Sequence, residues 1–146
     1  MTARLPTPAL DTALALERVS SAWDEDILKQ LTDYIRIPAK SPGFAPDWEQ
    51  QGHLETVLRN AAQWVEAQKV AGLTLEIVRL PGRTPVLFFE VAATQPQASA
   101  RSTQTVLMYG HLDKQPEFNG WRSDLGPWTP KYENGLLYGR GGADDG

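Results

Sequence analysis

Thr105-Val106-Leu107-Met108-Tyr109, broken at once by Gly110-His111-Leu112-Asp113, sets the reading of the whole chain. A short apolar run with β-branched and aromatic members, closed by a glycine, predicts a buried strand. His111 then falls where that strand ends, and in open α/β sheets ligands and catalytic groups collect at the carboxyl ends of strands. Further along, Leu136-Leu137-Tyr138 runs into Gly139-Arg140-Gly141-Gly142-Ala143-Asp144-Asp145-Gly146. This second strand-like run breaks into glycines and delivers two adjacent carboxylates. A histidine and a carboxylate pair, each brought in at a strand end, make up half of a metal site.

Composition narrows the function classes. With 146 residues the chain can bury a core as one compact domain. Its net charge of −4 carries no basic cluster, which argues against a nucleic-acid-binding face. No apolar run approaches the length of a membrane span. Asp11 and Glu17 interrupt what would otherwise resemble the apolar core of a secretion signal. The absence of cysteine excludes disulfides, thiol catalysis and cysteine-ligated zinc, and fits a cytoplasmic protein.

Outward from the two motifs, the chain divides by period. Residues 1–8, with Pro6 and Pro8, are expected to form a loose arm, and residues 9–146 the domain itself. Trp23, Ile27, Leu31 and Tyr34 or Ile35 recur at helical spacing from Leu10 to Ile35, with Ser21 and Asp24 as a capping box restarting the helix, and Pro38 ends it. Residues 39–52 read as a loop. A second helix is predicted from His53 to Ala71, with Leu54, Val57, Leu58, Ala61 and Val65 on one face and Gly72 as terminator. His53 is expected at the surface.

The period then switches to two: Leu73, Leu75 and Ile77 predict a half-exposed strand. After Pro81-Gly82, the continuous apolar run Val86–Phe89 predicts a strand covered on both faces. Residues 92–104 read as a loop. Tyr132-Glu133-Asn134-Gly135-Leu136 is a hairpin signal, because Asn-Gly favours the positive backbone angles of a two-residue turn. Trp121 and Trp128 flank Asp124 and are expected to pack their rings against the sheet rather than line a pocket. The sequence stops in a loop just after Asp145, so the chain is read as the N-terminal part of a longer protein.

Each motif has an ordinary alternative. His-x-Asp triplets are usually incidental. At i and i+2 of a strand, however, the two side chains share a face, which sets Asp113 beside the His111 ring. A metal-bound imidazole commonly gives its second N–H to such a partner. The glycines of 139–142 fail as a dinucleotide loop, because Asp144 stands at the third glycine position and would repel a pyrophosphate. They fail as a calcium loop because the alternating acidic residues are missing. In isolation Asp144-Asp145-Gly146 would be a solvated turn. The functional reading is a carboxylate that bridges two cations, which two-metal hydrolases hold about 3.5–4 Å apart.

Taken together, Gly110-His111-Leu112-Asp113, Gly120-Trp121 and Leu137-Tyr138-Gly139-Arg140-Gly141-Gly142-Ala143-Asp144-Asp145 resemble zinc metallopeptidase family twenty. That family includes carnosinase-like dipeptidases, aminoacylases, succinyl-diaminopimelate desuccinylase and glutamate carboxypeptidase. The resemblance implies an α/β fold: a three-layer α/β/α catalytic domain with a mixed sheet, here truncated on its C-terminal side. It implies that His111 and Asp144 are metal ligands, Asp144 bridging two zinc ions, and that Asp113 tunes His111 as a catalytic residue. Cobalt or manganese would be acceptable substitutes.

Many members carry lysine two residues after the bridging aspartate. Gly146 at that position points to a dipeptidase-type variant. The implied activity is hydrolysis of dipeptides or N-acyl amino acids by a metal-activated water, with a homodimeric full-length parent. The general-base glutamate and the remaining ligands would lie beyond Gly146, together with a lid or dimerisation domain. The reading from another class is a non-catalytic α/β interaction module, or a fragment inactive on its own.

Overall fold

A computed structural model describes residues 11–92 and 105–145. The expected arm at 1–8 and most of the expected loop at 92–104 lie outside the described residues. Helix α1 (Thr12–Ala22) starts at Asp11, whose carboxylate accepts from the Leu14 N–H at 3.0 Å, an N-cap. It runs through a π-helical turn at Trp23–Ile27 into α2 (Leu28–Ile35). The helix therefore does not restart at Ser21 and Asp24 as expected. Ser21 donates instead to Glu25 one turn on, at 2.8 Å, and the chain takes up the offset as a wider turn.

A short α3 (Trp48–Gln51) precedes α4 (His53–Ala67), and Gly52 at φ +69° ends the first and opens the second. α4 is shorter than expected, and His53 stands at its first position, partly exposed. Leu54, Val57, Leu58 and Ala62 face inward. Leu54 and Val57 form the core with Ala39, and Tyr34, Ile37, Trp48 and Leu112 pack around it. The core thus joins α2, α4 and the segment that follows His111.

Strands β1 (Leu73–Val78) and β2 (Val86–Val91) pair antiparallel, Leu73 opposite Val91 and Val78 opposite Val86. β3 (Lys131–Glu133) and β4 (Leu136–Tyr138) form the expected hairpin, with Asn134 and Gly135 both at positive φ. The α/β class agrees with the sequence; of the expected elements the two helices, β1, β2 and the hairpin come in the expected order, while α3 is an addition inside the stretch expected as a loop.

Two details differ. β2 pairs only with β1 among the described residues, and Val86, Phe88, Phe89 and Val91 stay exposed rather than covered on both faces. Val106–Tyr109 forms no strand and is 83–89% exposed. A strand buried on both sides needs neighbours to take up its ladder bonds, and the described residues supply none. Among the described residues, parallel pairing is limited to a single bridge between Lys40 and Lys114, immediately after the His111 motif.

Candidate metal centre

The two motifs meet. Gly139 and Gly141 have φ of +149° and +88° and let the loop after β4 approach the end of α2. A Cβ at Gly139 would overlap Ile35 Cγ2, and one at Gly141 would lie 2.8 Å from Lys114 Cε. The glycines therefore serve close packing, a role that the sequence left open. Arg140 ties the same loop inward, its N–H donating to Pro127 O at 2.8 Å and its Nε to Pro116 O at 2.9 Å.

This packing brings Asp144 and Asp145 to His111. Asp145 Oδ2 accepts from the His111 backbone N–H at 3.0 Å. Asp144 Oδ1 lies 3.5 Å from His111 Nε2. On the other side of the ring, Nδ1 is 3.0 Å from the Asp113 carbonyl oxygen and 3.4 Å from the Asp113 carboxylate. All the residues singled out in the sequence, His111, Asp113 and Asp144, thus converge on one imidazole. Asp113 comes beside the ring as expected, although its main-chain carbonyl is the nearer acceptor.

The tautomer follows from this geometry. A carbonyl oxygen only accepts, so the 3.0 Å contact with Asp113 O is a hydrogen bond in the tautomer that carries its proton on Nδ1. Nε2 then presents a lone pair on the side where the Asp144 carboxylate stands. Two acceptors facing each other repel unless a cation comes between them or the ring is protonated. Two donor atoms on a tetrahedral zinc with bonds of about 2.1 Å would be about 3.4 Å apart. The 3.5 Å separation fits that edge. These are two donors only: among the described residues no group of three or more His, Cys, Asp or Glu is arranged to hold a metal ion.

Two residues that the sequence did not single out frame the site. The Tyr34 hydroxyl donates to Leu112 O at 3.1 Å. Burial, and then the nearby charges of Asp113, Asp145 and Asp144, raise its pKa above the usual tyrosine range. Lys114 is buried, and desolvation pushes its ammonium down to about 8. A lone lysine in a polar stretch gives no sign of burial, which is why the sequence passed over Lys114; Tyr34 read only as a helix-face residue. Trp121 donates to Glu117 O at 2.9 Å, while Asp124 pairs with Arg122 and Lys131 at the surface.

The chain is 31% identical over 122 residues to a succinyl-diaminopimelate desuccinylase of Methylobacterium radiotolerans, a match covering 80% of this chain and 25% of the relative. It is 48% identical over 46 residues to a Cys-Gly metallodipeptidase of Candida albicans, covering 29% of this chain and 9% of the relative. The crystal structure of human carnosine dipeptidase 1 superposes with a TM-score of 0.62 at 27% identity, over 96% of this chain and 29% of that one. The chain is thus similar to a desuccinylase and to two dipeptidases. It spans a quarter of the length of the desuccinylase it matches. No family model matches it. The name of the Candida albicans relative specifies a metal-dependent dipeptidase. No helix among the described residues is long and apolar enough to cross a membrane.

Proposed function

We propose that this chain forms part of the active centre of a two-zinc amide hydrolase that cleaves dipeptides or N-acyl amino acids. The observation that carries the reading is the His111 ring, held by Asp113 O on Nδ1 and facing Asp144 Oδ1 with Nε2. In this reading His111 and Asp144 would hold the zinc, the imidazole through the ring nitrogen that faces the Asp144 carboxylate. Bound there, the metal would supply Lewis acidity toward water and the scissile carbonyl.

The chain's own residues supply the setting. Asp113 fixes the His111 tautomer through its carbonyl and stands its carboxylate beside the same ring nitrogen. Asp145 holds the His111 backbone. A catalytic zinc takes about three protein ligands plus water, so the remaining ligands and the general base come from residues outside this chain, in a longer cytoplasmic, homodimeric protein.

The test is Asp144→Ala in that full-length protein, with zinc counted by mass spectrometry and dipeptide and N-acyl amino acid hydrolysis assayed. We expect loss of turnover and reduced zinc at both sites. Full zinc content and turnover would sink the bridging role.

A further inference from the structure

Lys114 is the only buried charged side chain among the described residues, at 1% exposure, and the metal chemistry above makes no use of it. Its ammonium donates to Tyr34 O at 2.6 Å, Ile37 O at 2.8 Å and Ile35 O at 3.4 Å. It also sits 3.7 Å from the centroid of the Tyr34 ring and 5.5 Å from that of Trp128. The three carbonyls belong to the last turn of α2 and the residues just after it, where the helix dipole is negative; Tyr34 O and Ile37 O also accept from the Ile37 and Ala39 N–H groups at 3.1 and 2.8 Å, and the ammonium takes up their second lone pairs. An ammonium has three N–H donors, one for each. The backbone of Lys114 is fixed as well: its N–H donates to Ala39 O at 2.8 Å, and its carbonyl accepts from Ser41 N at 2.9 Å.

Lys114 touches both halves of the site. It directly follows His111-Leu112-Asp113, and Tyr34, whose carbonyl it caps, holds Leu112 O. Its aliphatic stem forms the floor under Gly141: a Cβ there would lie 2.8, 2.9 and 3.0 Å from Cε, Cδ and Cγ. Gly141 belongs to the loop that delivers Asp144.

We propose that Lys114 is a positioning residue for the metal pair. Anchored on the carbonyls at the end of α2, it carries the His111 segment on its backbone and seats the Asp144 loop on its stem, and so fixes the spacing of the two donors. This rests on the reading of His111 and Asp144 as ligands. A lysine that merely capped α2 would affect folding stability alone.

The experiment loads the full-length protein with cobalt(II), whose visible absorption reports ligand geometry, and compares wild type, His111→Ala, Lys114→Met and Gly141→Ala below their melting temperatures. His111→Ala should abolish the visible bands. Lys114→Met should weaken cobalt affinity by about 10–100-fold, the range for changes behind a ligand, and alter the spectrum of the folded protein. If His111→Ala leaves the bands intact, the ligand reading falls and this inference with it. If His111→Ala removes them while Lys114→Met keeps wild-type affinity and spectrum and only melts lower, Lys114 is a helix cap and the inference alone is overturned. Should Lys114→Met not fold, Gly141→Ala takes its place. It keeps the lysine and displaces the loop, so weakened affinity supports the proposal and unchanged affinity and spectrum overturn it.

Discussion

His111→Ala and Asp113→Asn separate the ligand from the group that supports it. In the proposed site His111 gives up a bond to the metal, whereas Asp113→Asn removes a charge 3.4 Å from the ring and leaves the carbonyl that accepts from Nδ1. Asp113→Asn should therefore cost at most about 10–100-fold in zinc affinity, and His111→Ala clearly more. Equilibrium dialysis decides it, and equal losses would mean that Asp113 binds metal directly. At this scale the sequence showed what local spacing can show: His111 and Asp113 two residues apart, and carboxylates released by a glycine loop. The burial of Lys114 could not be seen, because it depends on the end of α2, some eighty residues earlier in the chain.

Among the elements, the β3–β4 hairpin was the most legible, because Asn134-Gly135 sets its turn without help from distant residues. The strand expected at Val106–Tyr109 is the opposite case, since its pairing depends on other segments. On the hairpin, Arg122 and Lys131 hydrogen-bond Asp124 and hold its carboxyl well below the usual carboxylate range; Lys131 and Arg122 lower Glu133 likewise. A carboxyl whose folded pKa is depressed adds stability that is present above its unfolded pKa and lost as the pH falls toward the folded value. These groups are exposed, so the effect is small. Melting temperature should fall between about pH 5 and pH 2, less steeply in Asp124→Asn; matching slopes would contradict the assignment. The glycine loop gives a larger effect. Gly139→Ala forces a methyl into Ile35 and should cost about 1–3 kcal/mol in urea denaturation. An unchanged midpoint would show that the loop does not pack there.

For the whole molecule, residues 1–146 alone should hydrolyse no dipeptide even in excess zinc. The chain brings His111 and Asp144 together, and two donors do not hold a catalytic zinc that normally takes about three plus water. Calorimetric zinc titration with a hydrolysis assay checks this; tight binding with turnover would contradict it. The exposed β2 and Val106–Tyr109 are apolar surfaces of the kind that further strands or a partner cover. The central claim is that His111 and Asp144 grip metal, and a crystal structure of the zinc-loaded full-length protein with anomalous data at the zinc edge tests it most directly. The account predicts two anomalous peaks, one about 2.0–2.1 Å from His111 Nε2, with Asp144 bonded to both. Zinc found away from His111, or an Asp144 carboxylate bonded to neither ion, would contradict it.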